Sequence, residues 1–395
     1  MLYVFLSLML LLGFFSGILL FGPRIVYARS ERLPRLADGI APAGQAAVSV
    51  VIPARNEEYR VPTLLESLNA QSHPAVEVIV VDDESTDGTV RVCERYGARV
   101  VPAGDRPTGW IGKTWACAVG AAEATGSLIL FLDADVELSP HAIARLCAAH
   151  TEHGGAISVQ PYHRTRRLYE SFSALFNAQA VTAVGVRGDA RGLFGPCILM
   201  DRSSYEQCGG HESVRSSVLD DVDLGRVCRA SGVPVRNYLG GKAIRYRMYP
   251  EGPMAMINGW TKNFLRGAGS TPTRVLMLQS LWIIGAVTAF AQTTISVADS
   301  SVAVFTIEQA AIIYTTFAIL VGLSVRSYGS FGFGVAITFP LHLLFFGFIM
   351  LRALWMHFRG GTIEWRGRRV CPDEGGCTDA TPDTIEDTPV VESRS

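Results

Sequence analysis

Net charge is what this chain lacks first: 35 Lys and Arg against 36 Asp and Glu leave −1 over 395 residues. No basic field exists to hold nucleic acid by bulk electrostatics. Charge of either sign is also sparse, at 18% of residues against 49% hydrophobic with a mean hydropathy of +0.25. That balance suits one soluble domain joined to membrane segments better than two soluble domains. A cysteine framework is missing too. Cys93, Cys117, Cys147, Cys197, Cys208 and Cys228 are scattered through helical and strand patterns, as small core residues of a reducing compartment would be. Cys371 and Cys377 have no second pair nearby, so spacing excludes a zinc site. They lie in an acidic tail rich in Thr and Pro, from Cys371 to Ser395, that should be disordered and dispensable for chemistry. No internal repeat is present.

Long apolar runs are what the chain has instead. Leu2 to Phe21 carries no charge and is long enough to span a bilayer. It lacks the basic start and short core of a cleaved signal, which favours a retained anchor. Arg24, Arg29, Arg32 and Arg35 follow it and place that side in the cytoplasm by the positive-inside rule. Three further stretches follow at 275–297, 309–325 and 331–351. The loop around Asp299 has no Lys or Arg, which suits the outside, while Arg352, Arg359, Arg366, Arg368 and Arg369 after the last stretch ask for the inside. Four full spans cannot satisfy both demands. One stretch is therefore expected to be re-entrant or interfacial, with 331–351 a candidate because of Pro340 and His342 and 309–325 another because it is short.

Between these runs the chain follows βαβ grammar. Val48 to Ile52 and Val76 to Val81 are apolar strands ending in polar loops, and Leu64, Leu65 and Leu68 between them recur at helical spacing. Asp82 and Asp83 fall at the second strand's end, and Ser85 or Asp87 can cap the next helix. A third buried strand, SLILFL, leads into FLDADVEL. Asp133 and Asp135 thus leave a carboxyl strand end, where open α/β sheets bind ligands. One or two carboxylates plus substrate phosphates is the usual way to hold Mg2+ or Mn2+. DxD also occurs in plain solvated turns. Downstream, LDDVDLGRVCRASG carries Asp220 and Asp221, which either start a helix favourably with its dipole or face the same crevice.

Taken in order, these motifs resemble the family 2 inverting glycosyltransferases of GT-A fold, over about Val48 to Ala268. The resemblance implies an α/β nucleotide-sugar-binding domain with a Rossmann-like, mostly parallel sheet. It implies that Pro53, Ala54, Arg55 and Glu57 line the nucleotide pocket with Asp82 and Asp83, Asp83 on the base. Asp133 and Asp135 would hold the metal and diphosphate, and Asp221 would be the catalytic base. The family's base motif is Glu-Asp. Asp220 stands in the Glu position, a departure, while Asp221 keeps the base position. The stretches GWIGKTWAC, SVQPYHRTRRLYESFSALFN, FGPCILM, GGH, RMYPEG, GWTKNFLRGAG and GTIEWRGR are similar to the membrane-bound 4,4'-diaponeurosporenoate glycosyltransferases. That narrower resemblance implies glucosyl transfer from UDP-glucose to a carotenoid carboxylate, giving an ester. Related acceptors are hopanoids and polyprenyl phosphates. A processive polysaccharide synthase is disfavoured by the absence of QxxRW, and a non-catalytic scaffold by the presence of every acid.

Other candidates have two readings each. Lys113 can meet the diphosphate or base, or be an exposed helix-start lysine. Trp110 can stack on the acceptor or anchor its loop. Tyr162 and His163 sit in a basic aromatic segment that can seat an anionic lipid or ride the interface. His211 can stand at the acceptor mouth or act as a structural hydrogen-bonder. Lys262 can contact diphosphate or anchor at the interface, as Trp260 and Arg266 do. The expected organisation is an anchor at 1–23, a linker at 24–45, a GT-A domain at 46–268, a membrane region of two or three spans at 269–358, and a basic segment then tail at 359–395. The membrane enzyme faces the cytoplasm.

Overall fold

The computed structural model describes residues 1–26, 32–34, 46–186, 189–217, 219–267, 271–359, 363–365 and 368–370. Most of the expected linker and all of the tail from Cys371 lie outside the described residues, as do Arg29, Arg35 and Arg366. Helix α1 (Leu2–Val26) precedes the α/β domain. That domain runs β1 (Val48–Ala54), α2 (Val61–Asn69), β2 (Glu77–Asp82), α3 (Thr89–Arg95), β3 (Arg99–Pro102), α4 (Gly112–Glu123), β4 (Leu128–Leu132), β5 (Val136–Leu138) and α5 (Ala142–His153). It continues through β6 (Ala156–Gln160), β7 (Tyr162–His163), α6 (Ala174–Val184), β8 (Cys197–Asp201), α7 (Arg202–Gln207), α8 (Asp220–Ala230), β9 (Val235–Leu239) and β10 (Ile244–Tyr246).

Seven strands form the central sheet in the order β3-β2-β1-β4-β8-β6-β9. All neighbours are parallel except β8, which runs against both β4 and β6. The continuous apolar runs noted above are what such a sheet demands, because helices cover both faces; every residue of β4 and of β6 is buried. Helix α2 buries Val61, Leu64, Leu65 and Leu68 on one face and carries Pro62 in its first turn, where no intrahelical N–H is lost. The six cysteines from Cys93 to Cys228 are free and buried, consistent with core packing.

A second sheet, β5-β10-β7, stands beside the metal-motif turn. It gains a fourth member from the membrane region. The His163 N–H donates to the Tyr328 carbonyl at 2.9 Å, and the Ser330 N–H donates to the His163 carbonyl at 2.8 Å.

Four helices are long and apolar enough to cross a membrane: Leu2–Pro23 within α1, α10 (Thr273–Ala298), α11 (Ile307–Val325) and α13 (Phe339–Arg359). Amphipathic α9 (Pro253–Gly267) precedes them, and short α12 (Gly334–Ile337) separates the last two. Helices α1 and α10 meet backbone to backbone, since a Cβ at Gly13 would fall 2.5 Å from the Gly285 Cα. Small residues permit this approach in a bundle. The fourth apolar stretch becomes a long helix later than expected, at Phe339 instead of Phe331. Gly332 takes φ +74, a left-handed conformation that interrupts the backbone, and Pro340 restarts it in a helical first turn. This last helix lies along the α/β domain. His342 stacks on Phe172 at 4.7 Å, Phe346 packs on Phe176 and Phe264 at 5.0 and 5.1 Å, and Arg352 donates to Thr261 Oγ1 and Asn258 Oδ1 at 2.6 and 2.9 Å. The segment from Ser330 to Arg352 therefore begins and ends against the same domain.

Candidate active site

Strand β4 delivers Asp133 to the sheet's carboxyl edge, where its N–H donates to the Pro196 carbonyl at 3.1 Å. A tight turn follows, closed by the Val136 N–H on the Asp133 carbonyl at 3.2 Å, and β5 begins one residue after Asp135. Opposite, α4 starts where the Ile111 N–H and the Thr114 hydroxyl both donate to the Arg215 carbonyl. Its first turn aims Lys113 Nζ at Asp133 Oδ1, 2.8 Å away. A cation at a helix N-terminus opposes the dipole. Here Asp133, Asp220 and Asp221 overcome that and the cost of burial, holding Lys113 well above the ordinary lysine value.

Helix α8 brings Asp220 and Asp221 in its first turn, where the dipole favours them. Asp221 Oδ2 accepts from the Gly195 N–H at 2.7 Å and Oδ1 from the Val222 N–H at 3.0 Å. One pocket is lined by Pro53, Lys113, Asp133, Gly195, His211, Asp220 and Asp221, with Cys117 and Phe131 among its walls. Burial pushes Asp220 up to about 7, against the pull of Lys113. Burial also raises Asp221, while Lys113 and the two N–H groups restrain it. Asp135 is pushed up to about 7 by burial and by Asp133, with Arg60 and Lys113 opposing.

Asp133 and Asp135 fit a hard divalent cation as a donor set: two oxygen-ligand carboxylates, close enough that Asp133 raises its neighbour. Among the described residues no group of three His, Cys, Asp or Glu could hold a metal ion, so a cation on Asp133 and Asp135 would need substrate phosphate and water to complete its shell.

The family described as Glycosyl transferase family 2 matches residues 49–209. The 4,4'-diaponeurosporenoate glycosyltransferase of Staphylococcus aureus (strain USA300) is 36% identical over 333 residues, 82% of this chain and 88% of the relative. The chain is a family 2 glycosyltransferase. A mannosyltransferase from Pyrobaculum calidifontis, solved with GDP-Man and Mn2+, overlays on 90% of this chain and 99% of its own with a TM-score of 0.53 at 18% identity, a likeness of GT-A fold.

The transferase sets its other candidate residues in three places. Pro53 lines the pocket, and Ala54 is buried behind it. Arg55 donates to the Asp83 carbonyl at 2.7 Å, while the Asp83 N–H donates to the Ala54 carbonyl at 2.9 Å, so the ends of β1 and β2 are tied together. Asp82 accepts from the Ser85 N–H at 3.3 Å, and Asp87 from the Thr89 N–H at 3.0 Å, but the N-cap of α3 is Gly88, not Ser85 or Asp87 as expected. Glu57 is buried and pairs with Arg60 at 3.7 Å. His211 is on the pocket wall, its Nδ1 on the Tyr205 hydroxyl at 2.9 Å and its ring 4.8 Å from Phe131. Burial and then Lys113 bring it down to about 3, so it is neutral.

Ala54, Arg55, Glu57, Asp82, Asp83 and Asp135 lie outside the pocket lining, as do the remaining candidates. Trp110 packs edge-on against Trp115 at 5.1 Å, an anchor for its loop. Tyr162 pairs with Arg245 in the small sheet. His163 is fully buried, with Nδ1 3.2 Å from Asn177 Nδ2, and burial brings it down to about 4. Lys262 is half-buried on α9; the Arg266 side chain lies outside the described residues. Gly195 and Arg60 were missed by sequence reasoning. A Gly-Pro pair just before a strand was the available signal for Gly195; for Arg60 there was none, since its approach to Asp135 joins distant segments.

Proposed function

We propose that this transferase moves glucose from UDP-glucose to the carboxylate of a membrane-dissolved carotenoid acid, with inversion and with Mg2+ or Mn2+. The observation that carries this is the convergence of Lys113, Asp133 and Asp221 in one pocket at the sheet's carboxyl edge, in a chain that also has four helices long and apolar enough to cross a membrane. The acceptor class follows the relative's name, which specifies such an acid. Pro53, Ala54, Arg55, Glu57, Asp82 and Asp83 supply the nucleotide side. A divalent cation held by Asp133 and Asp135 would neutralise charge growing on the departing diphosphate. Lys113 adds a second positive charge there. An acceptor carboxylate oxygen forms the bond to the anomeric carbon as the bond to UDP breaks, and the electron pair leaves on the diphosphate. Asp221, on the opposite face, orients the acceptor and takes a proton when the acceptor has one.

Orientation follows the charges. With α1, α10 and α11 crossing, and α13 returning along the domain it left, Arg24 and Arg359 both fall on the catalytic, cytoplasmic side. Purified protein with UDP-glucose, Mn2+ and a C30 carotenoid acid should yield a mass gain of one hexose in a base-labile product. Transfer to a hopanoid or polyprenyl phosphate but not to the acid would overturn the acceptor.

A further inference from the structure

We infer that the loop from Gly192 to Pro196 positions the base, with Gly195 as the residue that aims Asp221; this rests on the reading of Asp221 above. The loop touches both halves of the reaction centre. Its Gly195 N–H donates to Asp221 Oδ2 at 2.7 Å, its Leu193 N–H donates to the Asp221 carbonyl at 3.2 Å, and its Pro196 carbonyl accepts from the Asp133 N–H at 3.1 Å. One short segment thus sets the distance between the metal motif and the base.

The sheet holds that segment in turn. Ser158 on β6 and Asn237 on β9 are register partners, wholly buried, and bonded to each other at 2.7 Å. Ser158 Oγ accepts from the Phe194 N–H, and Asn237 Nδ2 donates to the Gly192 carbonyl, both at 2.9 Å. The fit against α8 leaves no room: a Cβ at Gly225 would fall 2.5 Å from the Gly192 carbonyl carbon, and one at Gly195 would fall 2.5 Å from Asp221 Oδ2. Such contacts are below any relaxed separation, so an added methyl must displace the carboxylate. Gly195 is a positioning residue; its backbone acts through Asp221.

The reaction that reports on this is hydrolysis of UDP-glucose, because water, unlike a carboxylate, needs its proton removed. Gly195→Ala should slow hydrolysis on the order of tenfold or more, the scale of one hydrogen bond to a charged group, while UDP affinity in Mn2+ stays within about twofold. In an Asp221→Asn background the same substitution should cost less than about twofold more, as expected for residues acting as a unit. Ser158→Ala, which loosens the loop without touching the pocket, should lower hydrolysis less and also spare UDP binding. Parallel loss of UDP affinity, or losses that multiply in the double variant, would show general distortion and overturn the inference. Undiminished hydrolysis by Gly195→Ala with a large loss in Asp221→Asn overturns the loop's role alone. Undiminished hydrolysis by Asp221→Asn overturns the base and this inference together.

Discussion

The first half of the domain, β1 to β5, is held by its own loops and by pairing of β4 with β8 and β5 with β10, whereas the second half, β6 to β10, is also packed against the apolar helices. In the first, neighbouring loops hold each other. Asn56 Oδ1 accepts from the Thr86 N–H at 2.8 Å, the Glu57 N–H donates to Thr89 Oγ1 at 2.8 Å, and the Gly88 N–H donates to Glu58 Oε2 at 3.1 Å. The apolar core beneath it adds Leu33 to residues of the α/β domain and includes Ile157, Tyr238 and Ile244 from the second half. In the second, a buried relay runs outward. Gln160 Nε2 donates to the Tyr246 hydroxyl at 2.8 Å, that hydroxyl donates to Asn177 Oδ1 at 2.7 Å, and Asn177 meets His163, whose backbone carries the 328–330 segment. Helix α6 shares one core with α9, α10, α11 and α13. The proposed donor side is thus held by its own loops, and the proposed acceptor side is continuous with the apolar helices.

The largest break should come on the donor side. Asp135→Asn removes one of the two carboxylates proposed to hold the cation, and transfer should fall on the order of 10²–10³-fold, with UDP affinity in Mn2+ reduced in step. Isothermal titration beside initial rates checks this. Tight Mn2+–UDP binding in the variant would remove Asp135 from the metal site.

The base should divide acceptors. A carboxylate acceptor is ionised at neutral pH, so Asp221→Asn should cost it less than about tenfold. A hydroxyl acceptor should lose about 10²–10⁴-fold, the usual worth of general base catalysis. Rates of one variant on both acceptors decide, and an equal large loss on each would contradict the distinction.

A smaller effect should come from the seam between domain and membrane. A Cβ at Gly329 would fall 2.5 Å from the Phe331 ring and 2.8 Å from the His163 carbonyl. Gly329→Val should destabilise by about 1–3 kcal/mol, the cost of overpacking, lowering the melting temperature and raising the acceptor KM. UDP binding should stay unchanged. If UDP affinity falls as far as acceptor affinity, the two halves are not independent.

How much of this was legible follows the same division. The strands, the DxD turn and Asp221 lie in local patterns: apolar runs that must be buried, ended by acids that must not be. The conflict over charge after 331–351 was also legible. The start of α13 at Phe339 was not, because a left-handed Gly332 is invisible in an apolar run. Nor were the partners of His163 and Gly195. Those contacts join residues 14 to 167 positions apart, and only the fold brings them together.

Proton linkage offers the finest test, because the buried acids and the buried histidines carry opposite signs. Asp135, raised to about 7 from 3.8, binds a proton in the folded state that the unfolded chain has released, so its contribution is lost as pH rises from about 4 to about 7. His163, lowered to about 4 from 6.5, stays neutral when folded and is protonated when unfolded, so its contribution is lost as pH falls through about 6.5 to 4. Asp220 and His211 repeat the pattern inside the pocket, raised to about 7 and lowered to about 3. The opposed slopes should nearly cancel, leaving the metal-free melting temperature almost flat between about pH 5 and 6.5. Asp135→Asn should tilt that profile upward with pH, and His163→Gln should tilt it downward. Melting curves in detergent at several pH values measure both, and tilts of the same sign would mean that these two groups do not carry the linkage.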